Sequence, residues 1–444
     1  MRVTDDRVRF RPTRFVLPNG LTVLHQENPD SPAVTMSFRF AAGAAFENSS
    51  TQGLAGFCAA MLKRGTEKRT KLQIGEHLDF TGALLASGST RHTAYVGAKS
   101  RVVDFESTLN LLGECATSPS FPVSETEKLR GDILTAIRED RDDTRQIALD
   151  MLRAVVYAPE HPYAWRLLGT SESIQAVDRQ IVVDFYRNHF CPGGAVLVVV
   201  GGVGTDRVRK AVESKLADWT TETGAQGLNG GGLSAALPNI PDAPGLDERT
   251  CKVKTMRNKA QADVVIGQPG LRRLDDDYYA AAVMNMILGS FAMGGRLGRS
   301  IREEKGMAYY AYSSLGAGVG PGPFVVRAGV HPDNVDAAVG CAFEEIEKIR
   351  QEPVTDEELA DAQSAIVRSL PRNLETNEGM ASAMHSIEQY RLGLDYLERF
   401  AGLIGAVSVE QVLATAEKRL HPDRCAVTVA GPYPVADADG VEES

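Results

Sequence analysis

Apolar positions along this chain recur with two periods. Alternation of apolar and polar residues marks strands. Residues 14–27 form a hairpin pattern broken at Asn19-Gly20, a strong turn dipeptide. Residues 34–44 continue as a strand, and 83–100 as a strand pair. In the second half, 262–270 reads as a strand, and 308–318 with 322–330 as a hairpin around the glycine-rich loop 316–322. The 3.6-residue period of an amphipathic helix covers 53–63 and 275–289. The longest apolar run, Ala195–Val200, has the length of a strand. The pattern predicts an α+β fold with helices on one face of largely antiparallel sheets.

The two halves repeat each other. Ile174–Phe190 matches Ile404–Leu420 at an offset of 230 residues, and each segment runs into an apolar strand, 194–202 and 425–432. A helix entered through a proline, a Ser/Thr cap and an acidic first turn begins at Phe121 and again at Glu352, at an offset of 231. Two independent segments at one offset indicate duplication. Residues 220–247 are rich in Gly, Ala, Pro, Asn and Thr, without hydrophobic period, as a linker is. The expected organisation is a unit at 1–219, a linker at 220–248, a second unit at 249–432 and a tail at 433–444. These are two homologous α/β-roll units with mostly antiparallel sheets and flanking helices, related by internal duplication.

Composition narrows the function. The chain of 444 residues carries 48 basic and 58 acidic side chains, a net charge of −10, with no basic cluster. It is a poor partner for nucleic acid or an anionic membrane. No apolar run approaches the ~18 residues that a membrane span requires, and Met1–Phe10 has no signal-like apolar core. The six cysteines form no C-x-x-C pair, which predicts reduced, mostly buried thiols and a cytoplasmic setting, with the periplasm as runner-up. Among the eight histidines the closest two, His77 and His92, are 15 apart, so none share a helix face as paired metal ligands do.

Two stretches carry a family likeness. In Asp30–Thr66, an A-G-x-x-x-E segment (Ala42 to Glu47) leads into Gly53-Leu54-Ala55 and a helix ending Met61-Leu62-Lys63-Arg64-Gly65-Thr66. In Ile287–Ser313, Gly294-Gly295-Arg296-Leu297 precedes Ile301-Arg302-Glu303-Glu304-Lys305-Gly306-Met307-Ala308-Tyr309. Both resemble the pitrilysin/insulinase-type zinc metallopeptidases, the group that includes the mitochondrial processing peptidase. Active members carry H-x-x-E-H on the first helix, two zinc-binding histidines around a general base. The matching positions here are Gly56, Ala59 and Ala60. The family's third ligand, a glutamate, falls at Ala136, beside Thr135, and the family's strand asparagine at Leu85. The resemblance therefore implies a degenerate zinc site: no metal and no cofactor in this chain.

The Arg302/Tyr309 pair survives. In related two-part peptidases the half without zinc lends such a pair to a partner's active site. The chemistry suits them, because an oxyanion forming on a peptide carbonyl is stabilised by a neutral O–H donor or a guanidinium that stays charged. The resemblance thus implies a noncatalytic, substrate-binding subunit of a heterodimeric zinc metallopeptidase. Its partner would be a homologous subunit bearing H-x-x-E-H and the zinc. The two chains would close like a clamshell on an unfolded peptide, with Arg302 and Tyr309 acting in trans. Gly294, Gly295 and Arg296 resemble the glycine-containing loop that touches substrate in noncatalytic processing-peptidase subunits; a turn is the structural alternative. The rival function is a structural core subunit derived from a peptidase. An acidic chain favours basic peptides, although net charge does not locate the charges. Asp275-Asp276-Asp277 reads as an acidic run at a helix N-terminus, not a metal site.

Overall fold

The computed structural model describes residues 10–220, 232–290 and 294–433. Gly20 takes a left-handed φ of +91°. Around it β1 (Thr13–Val16) and β2 (Thr22–Glu27) pair antiparallel, Thr13 opposite His25. Strands β3 (Ala33–Phe40), β4 (Leu84–Ser89), β5 (Ala94–Arg101) and β6 (Ala195–Gly201) complete a sheet of order β1-β2-β6-β3-β5-β4. The second sheet contains β7 (Thr250–Thr255), β8 (Ala262–Pro269), β9 (Ala308–Leu315), β10 (Pro323–Val330) and β11 (Ala426–Gly431), in the order β7-β11-β8-β10-β9. Set β1 aside and the two orders coincide. In each sheet one pairing is parallel, β2 with β6 and β7 with β11, and the others are antiparallel. The duplicated α+β fold with mostly antiparallel sheets is what the halves present.

The expected strand over 34–44 ends at Phe40. Ala44 and Ala45 donate their N–H groups to the carbonyls of Thr90 and Arg91, and a Cβ at Gly43 would meet the His92 backbone at 2.3 Å. The turn between β4 and β5 thus draws the chain out of the ladder.

One face of each sheet follows the alternation. Val34, Met36, Phe38 and Phe40 of β3 face a core built with α1 (Leu54–Met61), α2 (Phe105–Thr117), α5 (Arg179–His189) and α6 (Thr205–Leu216). In the second sheet Val264, Ile266, Val326 and Val427 pack with α7 (Tyr278–Asn285), α8 (Val335–Gln351) and α11 (Val409–Arg419).

The other face departs from the expected one-sided arrangement. Every residue of β6 is buried, and a strand buried on both faces needs a second layer. For the first sheet, α10 (Asn377–Gln389), encoded in the second half, supplies it. Its Met380, Ala381 and Met384 pack with Leu24, Val196, Val198 and Val200. For the second sheet, α4 (Thr144–Val156), encoded in the first half, lies on β8 and β11. There the Thr428 hydroxyl donates to the Ala148 carbonyl at 2.7 Å, and Leu152 lies where a Cβ on Gly267 would stand, 2.9 Å away. The chain accordingly forms two units that cut across its midpoint. One draws on Met1–Ile137, Arg166–Asn239 and Leu370–Arg399, the other on Arg138–Trp165, Ile240–Ser369 and Phe400–Ser444. Of the expected linker, 221–231 lie outside the described residues, Gly232–Ala236 is a short helix with Leu233 buried on the first sheet, and Ile240 is buried in the second unit. The expected tail lies outside them beyond Tyr433, whose hydroxyl donates to Asp336.

Leu152 is fully buried, so Leu152→Ala should destabilise the protein by about 2–5 kcal/mol in denaturant unfolding. Although Leu152 belongs to the first half of the sequence, amide exchange should speed up in β8 and β11 rather than in β2 and β3.

Candidate functional site

Helix α1 starts at Gly53, whose φ is +88° and which offers no capping side chain. The buried carboxyl of Glu47 takes that role, accepting the N–H of Ala55 at 2.7 Å and of Gly53 at 3.0 Å. Burial raises its pKa to about 7, against the two backbone donors and nearby Arg91.

The four positions that the resemblance matches to a zinc site, Gly56, Ala59, Ala60 and Ala136, lie on two helices of the first unit. Gly56 is half-buried, and a Cβ there would meet Ser89 Oγ at 3.4 Å and the Leu167 carbonyl at 3.6 Å. Ala59 is fully buried, and Ala60 packs on the core. Ala136 is half-buried on α3 (Val123–Asp140). A zinc ion needs thiolate, imidazole or carboxylate ligands, and these four side chains hold no donor atom. The residues present do not fit the metal. Among the described residues no three His, Cys, Asp or Glu side chains group as metal ligands. Two histidines of this unit are engaged within the fold. His25 bridges Thr205 Oγ1 (3.1 Å) and the Val203 carbonyl (2.9 Å). The His189 ring lies between Phe46 and Phe185, with centroids 4.8 and 4.6 Å away.

The second motif lies in the second unit. Helix α7 continues into a wider π turn at Met286–Ser290, and a second π segment spans Gly298–Glu304. Such turns are rare and recur at functional sites. Of the loop between them, 291–293 lie outside the described residues. Gly294 and Gly295 have φ of +118° and +56°, and a Cβ would come within 2.1 Å of the Ala311 carbonyl and 2.3 Å of the Ile287 carbonyl, respectively. Glycine is therefore required there by the close approach of β9 and the preceding turn. Arg296 is held in a bidentate pair by Glu358 of α9 (Asp356–Asn373), with both contacts at 2.7 Å. Asp275 and Asp277 both take the Arg419 guanidinium, which pulls the Asp277 pKa down to about 2.

Arg302 sits near the end of the second π segment, half-buried. Neither neighbouring Glu303 nor Glu304 forms an ion pair with it, and no other described group does. A tight turn follows, closed by Met307 N–H to the Ile301 carbonyl and Gly306 N–H to the Arg302 carbonyl. It delivers the chain to β9. There the register against β10 slips: Gly329 faces Tyr310, but Val330 faces Ala308. Tyr309 is the extra residue of this bulge, a device that re-aims a side chain. It is 78% exposed, and among the described residues it has no partner. The motif thus places Tyr309 at the start of β9 and Arg302 on the π segment that leads into it.

Tyr310 differs. Its ring crosses Gly329, where a Cβ would clash at 2.5 Å, and its hydroxyl donates to Asp263. Burial and that bond push its pKa up. Asp263 also accepts from the Thr144 hydroxyl and from Gln261 at 3.1 Å, with Arg145 Nε at 3.7 Å. Of the neighbouring tyrosines, one is a lock for α4 and the other is free.

A model described as Insulinase (Peptidase family M16) matches residues 22–170, and one described as Peptidase M16 inactive domain matches 176–366. The chain belongs to the M16 peptidase family. An uncharacterized zinc protease of Streptomyces coelicolor is 25% identical, over 94% of this chain and 89% of its own length. The mitochondrial-processing peptidase subunit beta of Neurospora crassa is 24% identical, over 94% and 87%. Among solved structures, a peptidase M16 inactive domain from Pseudomonas fluorescens aligns with a TM-score of 0.86 at 23% identity, over 96% of this chain and 99% of that one. A protease from Helicobacter pylori aligns at 0.84 and 16%, over 95% and 99%. These likenesses carry the fold.

In this M16 chain a charged cleft of about 280 Å³, lined by Arg296, Arg299, Lys348 and Glu304 among others, includes neither Arg302 nor Tyr309. The Asp263–Tyr310 lock is not legible in the sequence, which shows 308–318 only as one strand of a hairpin. Alternation along that strand does put Tyr310 and Tyr312 on one face, but nothing local names Asp263 as partner.

Glu47 provides a pH signature. Its folded pKa lies above the ordinary value of 4.5, so the folded state binds the extra proton between about pH 4.5 and 7. The corresponding stability is present below pH 4.5 and lost as pH rises through 7, by up to roughly 3 kcal/mol. Glu47→Gln should flatten that part of the stability profile measured by urea unfolding.

Proposed function

We propose that this chain is the noncatalytic, substrate-binding subunit of a heterodimeric zinc metallopeptidase. The observation that carries the reading is a pair of donors unengaged among the described residues: the Arg302 guanidinium and the Tyr309 phenol on its bulge in β9. A scaffold needs neither, and a half-buried arginine without a carboxylate is an unfavourable thing to keep. The Arg302 guanidinium binds a substrate carbonyl or carboxylate oxygen, and the Tyr309 O–H donates to the carbonyl oxygen of the bond being cut. Gly294 and Gly295 hold the loop beside them in shape, and Arg296 joins the substrate surface from its pair with Glu358. The metal and general base belong to a homologous H-x-x-E-H partner, since Gly56, Ala59, Ala60 and Ala136 offer nothing to either role. Family membership and the match of 176–366 to an inactive domain support this division of labour.

Co-expression with an H-x-x-E-H homologue tests it. Cleavage of an unfolded peptide should require both chains and cease with a zinc chelator; full activity of the partner alone overturns the reading. In the active complex Tyr309→Phe should lower kcat by roughly 10²-fold, the effect of deleting one oxyanion donor. A complex that assembles and cleaves equally well with Tyr309→Phe would instead mark a structural subunit.

A further inference from the structure

The face of the second sheet that carries α4 is only partly covered. The helix lies on β8 and β11, and beyond it β9 and β10 continue the same face. Because Ala311 of β9 and Phe324, Val326 and Ala328 of β10 point into the core, the alternate residues Tyr310, Tyr312, Ser314, Val325, Arg327 and Gly329 point the other way.

Arg327 stands out among them. It is half-buried, its Nε is buried without a hydrogen-bond partner, and no described carboxylate pairs with it. The register sets it directly across from Tyr312 on β9 and from Val265 on β8. The carboxylate of Asp263 on this face, opposite Gly329, is already engaged by Tyr310, Thr144, Gln261 and Arg145. Around Arg327 the surface is cationic and aromatic. Arg145 lies 4.6 Å over the Tyr310 ring, whose centroid is 5.6 Å from that of Tyr312, itself 37% exposed. An unpaired guanidinium that has lost part of its water is unfavourable by itself, and its planar fork suits a bidentate carboxylate.

We propose that Arg327, with Tyr312 beside it, anchors a carboxylate of the bound peptide, supplied by its C-terminus or by an acidic side chain. This deepens the substrate-binding reading above and rests on it. It assigns a peptide preference whose sign is opposite to the one the net charge of −10 suggests.

The test is direct binding to the purified full chain, followed by fluorescence anisotropy. An unstructured labelled peptide would be used in three forms: neutral with an amidated C-terminus, neutral with a free C-terminus, and amidated with Asp or Glu within it. The wild-type chain should bind one or both carboxylate-bearing forms more tightly than the neutral amidated form, and which one identifies the source. Arg327→Gln should remove that preference, weakening the preferred form roughly tenfold, the worth of one charge-assisted hydrogen bond, while leaving the neutral amidated peptide unchanged. Arg327→Lys keeps the charge without the fork and should lose part of the preference at unchanged thermal stability. Equal binding of all three peptides by the wild type, an equal loss across all three in Arg327→Gln, or no binding at all would each overturn the anchor. The dependence of cleavage on both chains is a separate readout, so failure of the anchor is distinguishable from failure of the subunit reading.

Discussion

A strand buried on both faces cannot be stabilised by one helical layer. Ala195–Gly201 is such a strand, and in the second sheet Ala426–Gly431 is another. Each lies between a parallel neighbour and an antiparallel one, so the structure must bring a helix to the uncovered side. It does so reciprocally. Thr144–Val156 leaves the first half to cover the second sheet, and Asn377–Gln389 leaves the second half to cover the first. The exchange makes each unit incomplete without chain from the other half of the sequence.

The joints of the exchanged helices are polar and differ in sign. On the second sheet the strand supplies a carboxylate, Asp263, and the helix a hydroxyl and a cation, Thr144 and Arg145. On the first sheet the helix supplies Glu378 and the strand Lys99, 2.7 Å apart, while Asn377 bonds Asn28 and Ser31. One of these joints also shapes the candidate site. Because Asp263 takes the hydroxyl of Tyr310, that ring is held over Gly329 with its O–H already engaged. The bulge one residue earlier turns Tyr309 outward, and the alternation leaves Tyr312 beside Arg327.

Charge shows the same contrast between sum and place. An excess of acidic residues describes the whole surface, yet the part of the second sheet beyond Thr144–Val156 is cationic and aromatic. Arg296, equally basic, is held by Glu358, whereas Arg302 and Arg327 have no counter-ion among the described residues. What an arginine can bind depends on whether the fold has already supplied its carboxylate.

Much was readable from the sequence alone. The period of 2 marked most strands and the period of 3.6 the helices over 53–63 and 275–289, the offset of 230 revealed the duplication, and the residues at 56, 59, 60 and 136, which the family resemblance matched to a zinc site, carry no donor atom. Those are local or positional properties, and each follows from the identity of a residue and its near neighbours. The tertiary structure decided the rest: that the strand over 34–44 stops at Phe40, that helices cover both faces, which tyrosine is locked and which free, and which arginines lack a partner. Each of these depends on groups distant in the chain, 119 residues apart for Thr144 and Asp263 and 280 for Thr428 and Ala148. No periodicity records a contact between residues so far apart; only closure of the chain brings them together.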